Sequence, residues 1–242
     1  MFDFLEDKNE QASFNALGKQ LQENPDAYYA ACEDACKKAS AAPLANALEQ
    51  TEAQVLEQLE RIARHARRCV DGFPLPRGVF VEAEDRSRAY AYFLDALPTI
   101  HRQTQALERA TTAFLQFNRL ADAQKKNALV AENRLYAAEL TLKDDQSRAL
   151  PYVSLHEGLR KEREHARQLS ERAAKLVELL LGFCKKTVTS FFVRAEQVGY
   201  LSHQGHAIDP KGAANLLDRL GREADLLTDE ILLTKRRSID RP

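Results

Sequence analysis

Glu162 and His165 are the one pair of residues in this sequence with the spacing of a helical metal site. Di-iron helical bundles use a Glu-x-x-His motif on each of two helices, together with a glutamate from each of two others. None of the other five histidines has a glutamate three residues before it, so no second motif exists. Glu162 also lies on an apolar stripe, where we expect it to meet a basic side chain of a neighbouring helix. The pattern favours a structural role for this pair over metal binding.

A second set of possible metal ligands consists of Cys32 and Cys36 on one predicted helix and of His65 and Cys69 on the next. These are good zinc ligands at helical spacing. If the two helices are antiparallel, however, the two pairs lie about 30 Å apart at the helical rise. The spacing therefore favours cysteines that act as small packing residues.

The third set is His203, His206 and Asp209, spaced by three residues each. Imidazole and carboxylate are both metal ligands. Asp209 precedes Pro210 at a predicted helix start, where its side chain is expected to cap the helix. We expect neither a metal nor any other cofactor at these three sets.

Composition indicates an all-α protein. Helix-forming residues dominate, whereas Gly and Pro number only nine and eight among 242 residues and Trp is absent. The net charge of −1 excludes a strong overall attraction to nucleic acid or to an anionic membrane. Four cysteines do not make a disulfide framework in a chain of this length, and the acidic first ten residues do not resemble a secretory signal. We therefore expect a cytoplasmic protein.

Start and stop signals divide the chain into six helical segments. The predicted segments cover about residues 2–22, 25–39, 44–71, 86–147, 155–203 and 210–236. Asn24 and Asp209 each precede a proline and are predicted N-caps. Ser154 and Glu157 have the spacing of a capping box, which predicts the start of the fifth helix. Pro98 is expected to kink the fourth.

The lengths of these segments predict an elongated antiparallel helical bundle with long helices and a coiled-coil-like two-helix arm. Residues 1–40 are expected to form a helical hairpin packed on the bundle, although the pattern does not decide whether they cover the bundle or the arm. Residues 41–242 form the main bundle, with the arm at about 119–170. Leu150, Tyr152 and Val153 would lie at the tip of the arm as an exposed apolar cluster, which commonly marks a contact site.

A basic helical face is the second predicted contact surface. Arg61, Arg64 and Arg68 share one side of the third segment and could meet phosphates. Acidic residues beside them favour a solvated face instead. With Arg67 they could also dock a helical dimer on an anionic membrane surface, which is one rival function.

The sequence contains no glycine-rich phosphate loop and no nucleophile elbow. We therefore predict a non-catalytic helical scaffold or interaction protein with a protein partner, which includes a second copy of the chain. Two rival predictions are the membrane-surface protein and a metal-dependent helical enzyme that uses Glu162 with His165 or the pair His203 and His206. Nucleic acid is not an expected partner.

Overall fold

The computed structural model describes the backbone of residues 3–72, 83–203 and 209–239, and the side chains of residues 12–72, 83–197 and 209–237. Within these ranges every regular element is helical. The helices are α1 (Asp3–Glu23), α2 (Pro25–Lys38), α3 (Ala42–Gly72), α4 (Ala83–Thr141), α5 (Gln146–Gly182), α6 (Thr189–His203) and α7 (Pro210–Ile239), and a π-helical turn (Phe183–Val188) joins α5 to α6. The predicted all-α helical bundle is confirmed.

Two of the predicted helix starts are confirmed by their capping geometry. The side-chain oxygen of Asn24 accepts the N–H of Ala27 at 3.1 Å, and α2 begins at the following proline. The two carboxylate oxygens of Asp209 accept the N–H groups of Lys211 and Gly212 at 3.0 and 3.1 Å. Both caps satisfy N–H groups that have no partner within their own helix.

The predicted capping box of Ser154 and Glu157 is wrong, because α5 begins already at Gln146. Asp145 provides the cap instead, since its Oδ1 accepts the N–H of Arg148 at 3.3 Å. The turn between α4 and α5 is therefore about eight residues earlier in the chain than the pattern indicated.

Pro151 is the reason why the sequence indicated a break at this point. It lies inside α5 as the sixth residue of the helix. A proline there removes one backbone hydrogen bond close to the helix start, which the helix tolerates when its packing is favourable. Pro98 likewise lies inside α4, and the helix continues past it.

The fifth predicted segment is not one regular helix, because the π-helical turn interrupts it. The backbone N–H of Thr189 bonds to the carbonyl of Cys184, five residues earlier. The hydroxyl of Thr189 donates to the same carbonyl at 3.1 Å. One extra residue shifts the following turns by about 100° around the axis. Residues 176–193 are apolar on nearly every side, however, so the sequence pattern does not reveal this shift.

The chain divides into two compact units. The first unit comprises residues 1–47 and 117–170, and the second comprises residues 48–116 and 171–242. The long helices α3, α4 and α5 each contribute residues to both units.

In the first unit, α1 and α2 pack against the carboxyl-terminal part of α4 and the amino-terminal part of α5. Their core includes Tyr28, Cys32, Leu135 and Tyr152. The hydroxyl of Tyr28 donates to the carbonyl of Arg134 at 2.8 Å and so joins α2 to α4. The two N-terminal helices thus cover the region for which the sequence predicted an arm, which the pattern had left undecided.

In the second unit, the remaining parts of α3, α4 and α5 pack with α6 and α7. The rings of Phe93 in α4 and Phe191 in α6 lie 6.2 Å apart, between centroids. Gly221 of α7 lies so close to α3 that an added Cβ would be 3.3 Å from the Cβ of Ala66. The glycine therefore allows the two helices to approach closely.

Candidate functional site

Glu162 lies in the first unit and caps helix α3. Its Oε2 accepts the N–H of Ala41 at 2.5 Å and the hydroxyl of Ser40 at 3.1 Å. The expected basic partner of this carboxylate is therefore replaced by the positive end of a helix. His165 is exposed one turn further along α5.

The structure brings together no metal-binding cluster from the sequence candidates that it describes. In the described side chains, no three His, Cys, Asp or Glu groups are placed to hold an ion. The side chains of His203 and His206 lie outside the described residues. Asp209 has its carboxylate bonded to the backbone of α7, as predicted for a cap.

All four cysteines are free thiols. Burial raises the pKa of Cys32 and of Cys184 to about 11 in each case, and it also raises the pKa of Cys36 and Cys69. A raised pKa keeps a thiol protonated at neutral pH, and the thiolate is the form that binds metals and attacks electrophiles. The Sγ of Cys69 lies 3.8 Å from Nε2 of His65, whose pKa is lowered chiefly by burial. Their environment fits the packing role that the sequence predicted.

The basic face of α3 is partly neutralised by ion pairs. Arg61 and Arg64 each pair with a glutamate four residues earlier on the same helix, and Arg67 pairs with Asp225 of α7. Arg68 is exposed. Three of the four guanidinium groups of this face therefore already have a carboxylate. Among the helices in the described ranges, none combines the length and the apolar character needed to cross a membrane.

The predicted contact residues of the arm tip divide between core and surface. Leu150 and Val153 are exposed, but Tyr152 is only 5% exposed and lies in the core of the first unit. Its ring is 5.4 Å from that of Tyr29. The three residues occupy the second turn of α5 and not a loop, so each successive position turns by about 100° and Tyr152 faces inward.

An exposed apolar face on α4 was missed by the sequence analysis. Leu129, Tyr136 and Leu140 are 58%, 47% and 50% exposed, and we call these three residues the α4 face. Their spacing of seven and four residues places them within about 40° of one another around the helix. The rings of Tyr136 and of Phe14 in α1 form a T-shaped contact, with their centroids 5.5 Å apart. The spacing of these three residues forms a second apolar stripe in the sequence, but this stripe runs beside the stronger apolar stripe of α4 that forms the core.

A cleft lies between α2 and α4 in the first unit. Its volume is about 180 Å³, and Asp34, Lys38, Asn127 and Arg134 lie along it. Asp34 and Lys38 form an ion pair at 2.7 Å, and this hydrogen bond lowers the pKa of Asp34. The amide of Asn127 donates to the carbonyl of Lys38 at 3.1 Å. Much of the polar lining is thus already engaged within the protein.

No protein-family model matches the sequence, and comparison with curated proteins and with solved structures finds no similar protein.

Proposed function

We propose that this protein is a non-catalytic helical interaction protein that associates with a second copy of itself through the α4 face. The observation that carries the proposal is the exposure of three large apolar side chains on one side of a helix. Complete burial of such a side chain contributes about 1.5–3 kcal/mol. Contiguous exposed apolar residues on an ordered helix commonly mark a contact surface.

The face is complementary to itself in an antiparallel arrangement. A two-fold axis near Glu132 and Asn133 would place Leu129 of one subunit opposite Tyr136 of the other. The same register brings Lys125 of one subunit beside Glu139 of the other, on the same side of the apolar stripe. Because a two-fold axis repeats each contact, opposite charges meet twice in the dimer.

The charged groups at the edge of the α4 face are available for this contact. Lys125 is exposed, and its one ion pair within the described chain is a long contact of 3.6 Å with Asp122. Glu139 accepts a hydrogen bond from Nδ1 of His156 at 2.8 Å through Oε1. Its other carboxylate oxygen can accept a further hydrogen bond.

The size of the face favours a reversible dimer. Leu129 and Leu140 are about 17 Å apart along the helix axis. A contact of this length falls at the small end of specific protein interfaces, so we expect dissociation constants in the range of about 1–100 µM. The paired helices would have a coiled-coil character. The free thiols support a reducing compartment such as the cytoplasm.

Sedimentation velocity over a range of protein concentrations tests the proposal. The L129E variant should remain monomeric at concentrations where the wild type dimerises, because it places a charge in the centre of the contact. The matched control is L226E, since Leu226 is also an exposed leucine but lies on α7. A wild type that stays monomeric at several hundred micromolar, or equal effects of L129E and L226E, would contradict the proposal.

A charge exchange tests the register itself. The variants K125E and E139K should each dimerise more weakly than the wild type, because each places like charges together twice. When the two variants are mixed, the hetero-pair has opposite charges at both contacts, and association should recover. Thermal unfolding of E139K controls for the loss of its bond to His156. Failure of the mixture to recover would exclude this register.

A further inference from the structure

A basic groove in the second unit lies where the π-helical turn, α6 and α7 meet. Lys186 of the turn, Arg194 of α6 and Arg219 of α7 line it, and Phe191 and Leu220 form its apolar floor. None of the three cations forms an ion pair with a carboxylate in the described part of the chain. This distinguishes them from most arginines of α3, which have partners. Three cationic residues from three elements thus line one groove, and none of them has an ion-pair partner among the described residues.

Two hydroxyl groups of the same groove are also free to donate. Threonines in regular helical turns of this protein, such as Thr104 and Thr228, donate to the carbonyl four residues earlier. Thr187 and Ser190 line the groove, and their side-chain hydroxyls make no hydrogen bond to any described residue. They lie at the π-helical turn, where backbone bonding shifts to the carbonyl five residues earlier. π-Helical turns occur frequently at functional sites.

The donors and the size of the groove define the ligand. Its volume of about 20 Å³ is room for one water-sized atom. One oxygen of a tetrahedral anion can enter, while its other oxygens remain at the rim beside the charged side chains. A phosphate monoester has three terminal oxygens and nearly two negative charges, which fits three cations and two hydroxyls better than a carboxylate does.

We propose that the groove of Lys186, Thr187, Ser190, Arg194 and Arg219 binds the phosphate group of a phosphate monoester. The site is open to solvent, so salt screens its charges. We therefore expect a dissociation constant of about 1 mM for inorganic phosphate at low salt, which weakens several-fold as the salt concentration rises. A ligand that also covers the apolar floor would bind more tightly.

Amide NMR of the full chain, titrated with inorganic phosphate at constant ionic strength, tests the proposal. Shifts should concentrate at residues 186–194 and 216–220, with chloride as the reference anion. The variants R194Q and R219Q should each weaken binding by about fivefold, within the range of a single exposed charge contact. The matched control is R222Q, because Arg222 lies on α7 but pairs with Asp218 at 2.5 Å. It should leave phosphate binding unchanged.

Vesicles that contain phosphatidic acid distinguish a lipid headgroup from a soluble ligand, since this lipid carries a phosphate monoester. The protein could bind these vesicles but not free phosphate. If R194Q then abolishes vesicle binding, the result supports the same site with a membrane lipid as the source of the phosphate group. Shifts equal to those caused by chloride, together with no vesicle binding, would overturn the proposal. Equal weakening by R222Q and R194Q would also overturn it, because the effect would then be one of net charge.

Discussion

The buried ion pair between Glu52 of α3 and Arg172 of α5 gives the most direct test of packing in the second unit. These residues are only 2% and 7% exposed. Oε2 of Glu52 accepts a hydrogen bond from Nη2 of Arg172. Oε1 of Glu52 and Nε of Arg172 are buried without a hydrogen-bond partner in the described structure. The pair therefore holds two charges away from water and satisfies them incompletely.

We expect single substitutions of this pair to destabilise the protein and the double substitution not to do so. E52Q leaves the Arg172 charge buried without a counter-charge, and the loss of one partner of a buried pair costs about 3–5 kcal/mol. R172M leaves a buried carboxylate and should cost a similar amount. The double variant E52L/R172M removes both charges and both unpaired atoms. It should be as stable as the wild type, or more stable by about 1–4 kcal/mol.

Urea unfolding followed by circular dichroism measures these changes. With a slope of about 2–3 kcal/mol per molar urea, the single variants should lower the midpoint by about 1–2 M. The control is E57Q, which breaks the exposed pair between Glu57 and Arg61 on α3. Its effect should be below about 0.5 kcal/mol. If E52Q has as small an effect as E57Q, or if the double variant is less stable than both single variants, the reasoning about this pair is refuted.

Three further predictions concern caps, thiols and glycines. E162A removes the cap from the N–H of Ala41 and should lower the free energy of unfolding by about 0.5–2 kcal/mol in urea, whereas added zinc or iron should not change its stability. Because burial raises the pKa of Cys32 to about 11, its folded pKa exceeds the unfolded value of about 9. The free energy of unfolding should therefore fall between pH 9 and 11, by at most about 1.4 kcal/mol per pH unit from this group. In thermal unfolding, the melting temperature of C32A should decline less steeply with pH than that of the wild type. G158A should raise the free energy of unfolding by about 0.5–1 kcal/mol, because no atom lies within 4 Å of the added Cβ. G221V should lower the free energy of unfolding, because α3 is too close to Gly221 for a larger side chain. A stabilised G221V would contradict the close contact between α3 and α7.

The candidate surfaces show where prediction from sequence reaches its limit. Exposed residues at Leu150 and Val153 were anticipated, but Tyr152 between them is in the core, because the turn that sets its orientation lies earlier than the pattern indicated. The apolar stripe predicted a basic side chain as the partner of Glu162, which is wrong, because this carboxylate accepts the N–H of Ala41 and the hydroxyl of Ser40. It could not indicate that the partner is the start of α3, 121 residues away in the chain.

The groove of the second unit was missed for a related reason. Lys186, Arg194 and Arg219 come from elements that only the fold brings together. The π-helical turn lies in a stretch that is apolar on nearly every side, so the sequence pattern does not indicate it. A single charged residue on an amphipathic helix carries no information about which residues lie across from it. The α4 face differs, because its spacing was visible and only its exposure was not.

The sequence by itself determined the helical class of this protein and the starts of α2 and α7. Those features depend on residues within about four positions of one another, as the caps of Asn24 and Asp209 demonstrate. The tertiary structure alone decided that α1 and α2 cover the region predicted as an arm, that Glu52 meets Arg172, and that the α4 face remains exposed. Burial depends on which side of each helix meets a neighbour, and that is settled by contacts between residues distant in the chain.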